Sequence, residues 1–244
     1  MRLDLDIIAS KLEGLEETII VKLIDRAQFR LNEQIYLPGQ SGFLNENERS
    51  LFELRLFFQE SMDSQFGRFK APEERPFCQD LPPAMRVVSM PPSGLVIDDF
   101  DLINLGPVIK TSYLELLKKL CRPGDDSQYG SSTEHDVYAL QAIARRIHFG
   151  SLYISECKFS ADPETYSELI MARDVEALNS KLTRKEVEDK IIDRVREKVE
   201  SIQSKANPKV RYLINSDAVV EYYRNIIIPL TKKGEITYLL QRLK

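Results

Sequence analysis

Histidine and cysteine are scarce in this 244-residue chain: His135 and His148 are the only two histidines, and Cys78, Cys121 and Cys157 the only three cysteines. Two histidines cannot furnish a histidine-rich metal site, and three scattered cysteines match neither zinc-knuckle spacing nor a paired disulfide framework. Free thiols in a reducing compartment are the expectation. Charge of one sign is missing too. The 34 basic and 38 acidic side chains leave a net charge of −4, with no block of like charge. Nucleic-acid binding draws on a basic stripe that neutralises several phosphates, so that class is set aside. The apolar run Ile226 to Ile228 stops at Pro229, far short of the roughly 20 residues that cross a bilayer. The opening Met1-Arg2-Leu3-Asp4-Leu5-Asp6 is acidic and lacks an apolar signal core. There is no phosphate-cradling glycine loop, no internal repeat and no convincing period-two strand. A soluble, cytoplasmic protein with no metal and no membrane or nucleic-acid partner is expected.

What the chain does have is helical periodicity. Hydrophobic residues make up 43% and charged residues 30%, enough apolar material for a core. Ile8, Leu12, Leu15, Ile19 and Leu23 recur every three or four positions and predict a long first helix. A second is expected from about Glu46 to Phe66, with Leu51, Leu54, Phe58, Met62 and Phe66 on one side. Six prolines between Ala71 and Ser93 predict a long connection crossing over helices. A third helix runs from about Gly106 to Leu120 and ends at the turn Arg122-Pro123-Gly124-Asp125. Ser131 and Glu134 have capping-box spacing, opening a helix from about Ser132 to Lys158. Asp162-Pro163-Glu164 starts a short helix, Arg184 to Ser204 forms a long one, and Ser216 caps a last helix that bends at Pro229. The fold class is all-α, a single domain over residues 1–244 built as a helical bundle with long helices and a proline-rich crossing loop.

Composition offers no nucleophile. Arg146, Lys158, Glu188 and Glu235 stand within amphipathic helices, and singly each reads most simply as a solvated charge.

Four ordered segments change that. Arg145-Arg146-Ile147-His148-Phe149-Gly150 is followed by Glu156-Cys157-Lys158-Phe159. Ahead of it stand Leu15-Glu16-Glu17-Thr18-Ile19-Ile20 with Arg26-Ala27-Gln28-Phe29, then Gly67-Arg68-Phe69-Lys70-Ala71-Pro72-Glu73-Glu74-Arg75-Pro76-Phe77. Ile228-Pro229-Leu230-Thr231-Lys232 with Tyr238-Leu239-Leu240 closes the series. From about residue 5 to the end, the chain resembles the chorismate mutases of the all-helical fungal and plant type. The resemblance implies a cofactor-free isomerase that rearranges chorismate to prephenate in phenylalanine and tyrosine biosynthesis, and a homodimer.

The resemblance also implies roles. Arg146 grips a substrate carboxylate, Lys158 and a protonated Glu235 donate to the ether oxygen, Glu188 accepts the substrate hydroxyl, and Thr231 orients its neighbours. Arg68, Gly130 and Ser131 match positions at which relatives bind tyrosine or tryptophan as effectors. Three departures accompany this. Ala9 stands where the family carries a first-helix arginine, and Lys11 lies about 200° around that helix from it. Arg146 and Lys158 are twelve residues apart against the family's eleven, and one extra residue turns a helix by about 100°. A π-bulge near Gly150-Ser151 would absorb it. Arg184 replaces a common asparagine and would supply the cation that Ala9 removes. The alternatives are a non-catalytic homologue acting as an effector-binding or protein-interaction module, or a helical interaction protein using the charged face from Lys181 to Glu200.

Overall fold

The computed structural model describes residues 3–97 and 99–243, and over that range every regular element is helical. Helix α1 spans Leu5–Arg26; the Asp4 carboxylate caps it by accepting the amides of Asp6 and Ile7. The predicted stripe is the buried one, with Ile8, Leu12, Ile19 and Leu23 inside and Leu15 half-buried.

Helix α2, Leu51–Gln65, departs from expectation twice. It starts at Leu51 rather than Glu46 because Ser50 and Glu53 form a reciprocal capping box. Its expected apolar row is also split: Leu54 is buried and Leu51 half-buried, but Phe58, Met62 and Phe66 are 54%, 48% and 66% exposed, and Phe52, Leu56 and Glu60 are buried instead. The reason lies in the proline-rich segment. Buried Glu60 accepts the amides of Phe77 and Cys78 at 3.0 and 2.8 Å, so the docking of that segment decides which face of α2 is inside. Between 3₁₀ turns at Arg68–Lys70 and Phe100–Ile103 the segment crosses the bundle. It bonds Gln65 through the Met85 amide at 2.9 Å and Tyr238 through the Val96 amide at 3.2 Å.

Helix α3 runs over Gly106–Leu120, as predicted. Helix α4, Tyr129–Phe149, continues through a π-helical segment, Gly150–Ile154, into α5, Ser155–Ala161. The Ser131–Glu134 capping box does not form. The helix begins at Tyr129 without a side-chain cap, Ser131 lies inside its first turn, and Glu134 pairs with Arg55 of α2 at 3.4 Å. Helix α6, Pro163–Met171, is capped by Asp162 as expected. Helix α7, Val175–Leu182, was not anticipated; Asp174 caps it. Helix α8 spans Lys185–Gln203. Helix α9, Ser216–Tyr222, is capped by Asn215 rather than Ser216. The bend expected at Pro229 takes the form of a second π-helical segment, Tyr223–Ile227, leading into α10, Ile228–Gln241. The missing proline N–H interrupts the regular ladder at that point.

Two large apolar clusters and a small third one hold these helices. The larger of the two joins α1, α2, α3, α4, α8 and α9, the other joins the first π segment to α5, α6, α7 and the end of α10, and the third sets Ile8 and Leu12 of α1 against Phe149 and Cys157. Inside the larger one Arg26 Nε sits 2.6 Å from Asp136 Oδ1, and the Tyr36 and Tyr113 hydroxyls each donate to Asp136 at 2.8 Å. That buried carboxylate therefore has the partners it needs away from water. Among the described residues no helix is long and apolar enough to cross a membrane.

Candidate active site

A cavity of about 340 Å³ is walled by α1 and α8 and floored by the ends of α4, α5 and α10. All six residues singled out for chemistry and substrate binding line it: Arg146, Lys158, Arg184, Glu188, Thr231 and Glu235. They come from α4, α5, α8, its N-cap and α10, so only the tertiary fold gathers them.

Arg146 is buried at the floor with 3% of its surface exposed. One guanidinium nitrogen, Nη1, donates to Thr231 Oγ1 at 3.2 Å, and Nη2 lies 3.9 Å from Glu16 Oε1. Its Nε is buried without a partner among the described residues. Thr231 in turn donates to the Ile227 carbonyl at 2.7 Å, which fixes the hydroxyl lone pair that receives Arg146. Lys158 Nζ donates to Glu235 Oε2 at 2.8 Å and to the Leu182 carbonyl at 3.1 Å. Burial pushes the Glu235 carboxyl above the usual carboxylate range, against the opposing pull of Lys158, Arg146 and Lys232. Glu188 Oε1 lies 3.0 Å from Lys232 Nζ at the half-exposed rim.

Lys158 reaches the floor because of the π-helical segment. Twelve residues of regular α-helix would leave it about 120° from Arg146, and the wider turn of a π segment takes up the extra residue. Two glycines seat that segment against α10. A Cβ on Gly150 would fall 2.8 Å from Thr231 Cγ2 and 3.3 Å from Arg146 Nη1, and a Cβ on Gly234 would collide with the Ser151 side chain. The Ser151 hydroxyl lies within hydrogen-bond distance of both the Ile147 and the Thr231 carbonyls, tying the π segment to α10. Further along, Tyr238 and Arg242 both donate to buried Glu156, with Arg242 forming a fork at 2.7 and 2.8 Å. This clamp sets α5 against α10 and so holds Lys158 opposite Glu235.

The first-helix departure is real in three dimensions. Ala9 lines the cavity, and the other lining residues of α1, Leu5, Asp6, Leu12, Glu13 and Glu16, include no cation. Lys11 points away, its ammonium 5.9 Å from the centre of the Phe149 ring. Arg194 reaches the cavity from α8, but it is committed to Glu16 through Nε and Nη2, both at 2.8 Å, and to Glu13 at 3.0 Å. Arg184 lies at the exposed rim with no acidic partner within ion-pair distance among the described residues.

Sequence reasoning missed Glu16, Lys232 and Arg194. The signal for Glu16 was present: an acid one turn after Leu12 and three residues before Ile19, on the core stripe. Nothing local distinguished Lys232 or Arg194 from solvated lysines and arginines.

The three effector candidates are not brought together within one chain. Arg68 docks on α4 at Gln141, 2.7 Å away, and pairs with Asp63 and Glu74 at 2.8 and 3.0 Å. Gly130 and Ser131 lie about ten residues earlier on α4, roughly 15 Å along its axis.

No protein-family model matches the chain. It is 37% identical to a chorismate mutase of Trichoderma parareesei over 99% of this chain and 94% of that one. It superposes on the chorismate mutase of Candida albicans in complex with L-tryptophan with a TM-score of 0.90 and 34% identity, covering 98% of this chain and 92% of that one. It also matches the structure of the chorismate mutase AtCM1 with phenylalanine bound in its allosteric site, with a TM-score of 0.88, 35% identity, and coverage of 97% and 95%. With the fold, the cavity and full-length identity above 30% in agreement, the chain belongs to the chorismate mutase family.

Proposed function

We infer that this protein rearranges chorismate to prephenate, without a cofactor, in the synthesis of phenylalanine and tyrosine. The observation that carries this is Arg146: a buried guanidinium that lines the floor of a cavity, with its Nε unpartnered among the described residues. A planar fork of that kind suits a carboxylate.

The rearrangement breaks one C–O bond as one C–C bond forms, with no bond to the protein and no proton transferred. Catalysis is then a matter of holding the compact conformer and stabilising charge that grows on the ether oxygen. Arg146 takes one carboxylate, steadied by Thr231. Lys158 and a protonated Glu235 donate to the ether oxygen from adjacent positions 2.8 Å apart. A protonated carboxyl is what burial beneath the cavity favours. Glu188 accepts the substrate hydroxyl at the rim. Arg184, at the rim with no acidic partner within ion-pair distance among the described residues, supplies the cation for the second carboxylate that α1 does not offer. The non-catalytic alternative drew on Ala9 and on the longer Arg146–Lys158 spacing; the π segment removes the second ground.

Assembly as a homodimer is part of this proposal, and the outward row Phe58, Met62 and Phe66 on α2 supports it. An effector site for an aromatic amino acid, with Arg68 from one copy and Gly130 and Ser131 from another, fits their separation within a single chain. The expected setting is cytoplasmic.

The test is chorismate disappearance followed by ultraviolet absorbance with purified protein and no added cofactor, alongside Arg146→Ala. Saturable conversion to prephenate, lowered at least about a hundredfold in the variant, is expected. A folded wild-type protein with no conversion above background would sink the proposal.

A further inference from the structure

Lys232 follows Thr231 directly on α10 and lies with its side chain 20% exposed at the cavity rim. Its ammonium has two partners. One is Glu188 Oε1 at 3.0 Å, on the first turns of α8. The other is Thr183 Oγ1 at 3.2 Å, in the turn joining α7 to α8. That same turn is also held by Lys158 of α5, which donates to the Leu182 carbonyl at 3.1 Å. Two lysines from different helices thus pin the Leu182–Glu188 stretch, which carries Arg184 and Glu188. An isolated pair this exposed adds little to stability. Its position suggests a different use, since Glu188 otherwise projects from the exposed end of a helix with nothing to select its rotamer.

We propose that Lys232 is a positioning residue for the rearrangement: it fixes the Glu188 carboxylate where the substrate hydroxyl must meet it and keeps the α7–α8 turn closed against α10. This rests on the mutase activity and on the role given to Glu188 above. Lys232 forms no bond with the reacting atoms; it acts through Glu188, and through the turn that carries Arg184.

A second consequence separates this role from simple support of the fold. Glu235 is faced by Lys158 from α5, Arg146 from α4 and Lys232 from its own helix, while Tyr166 of α6 and the rim groups Arg184 and Glu188 complete its charged surroundings. Each cation favours the ionised carboxylate. Removing Lys232 raises the pKa of Glu235 further, so the protonated donor persists to higher pH.

The experiment compares kcat and KM for chorismate, as a function of pH, in wild type, Lys232→Met, Lys232→Arg, Glu188→Gln and the double variant Glu188→Gln with Lys232→Met. Lys232→Met should lose about tenfold in kcat/KM, and Lys232→Arg should recover most of it. In the Glu188→Gln background, Lys232→Met should cost clearly less than in wild type, because one of the two things it positions is already altered. The alkaline limb of the Lys232→Met profile should move to higher pH. If Lys232→Met melts early, Lys232→Gln, which keeps a hydrogen-bond donor without the charge, replaces it with the same expected loss. Wild-type kinetics in Lys232→Met, or an equal loss in both backgrounds, would overturn the role. A wild-type protein that leaves chorismate untouched would overturn the mutase activity itself and this role with it.

Discussion

Lys158 Nζ and Glu235 Oε2 meet at 2.8 Å, with the lysine 15% and the glutamate 5% exposed, so an ammonium and a carboxyl group share one nearly dry floor. If the carboxyl is ionised, the two neutralise each other and neither is free for an ether oxygen. If it is protonated, both become donors. Activity should therefore fall as pH rises through the Glu235 pKa, which burial holds above the ordinary carboxylate value. Glu235→Gln keeps a donor that does not titrate, and its pH–rate profile should lose the alkaline decline. A decline that persists unchanged in the glutamine variant would assign it to another group.

Arg184 has a role only if a second carboxylate needs a cation. Arg184→Ala should raise KM by roughly tenfold with a smaller change in kcat, the pattern of a lost binding contact. Unchanged steady-state kinetics would return the second carboxylate to some other group.

The π-helical segment makes an unusual length prediction. Deleting Tyr153 leaves Arg146 and Lys158 eleven positions apart, about three turns of regular helix, so the lysine stays on the cavity side. Inserting an alanine after Tyr153 has no such remedy. The deletion should keep activity within about tenfold of wild type, while the insertion should lose more than about a hundredfold. Equal damage from both would mean that the segment serves packing rather than register.

His148 gives a pH dependence of stability rather than of catalysis. It is fully buried, its Nε2 accepts the Leu105 amide at 3.1 Å, and burial drops its pKa to about 3. The unfolded chain protonates this imidazole below the ordinary value near 6.5 while the folded one does not, so stability contributed by His148 is present above that pH and is lost as pH falls. Between pH 6.5 and 5 the loss is on the order of 2 kcal/mol. Urea denaturation across that range should show it, and His148→Gln should flatten the slope while lowering stability at neutral pH. A slope of wild-type size in the variant would place the titrating group elsewhere.

Much of the fold was legible because amphipathic helices announce themselves locally. The α1 stripe, the limits of α3, the Asp162 cap and the crossing proline segment follow from periodicity and backbone chemistry alone. The failures have a common cause. Ser131 and Glu134 have capping spacing, yet the helix starts three residues earlier than that cap would set it, and Glu134 is drawn to Arg55. On α2 the apolar row and the opposite face compete nearly evenly, and the docking of Phe77 and Cys78 onto Glu60 decides between them.

The sequence by itself determined an all-helical chain, its family, and the residue types a dicarboxylate rearrangement requires. It also located the register fault between Arg146 and Lys158 and the kind of helical defect that would cure it. Tertiary structure decided which charges are buried, which are paired, and which remain free. Arg194 and Lys232 look like surface charges in one dimension, because their pairing depends on partners more than forty residues away. Helical spacing says which side chains share a face; only the packing of distant helices says what that face meets.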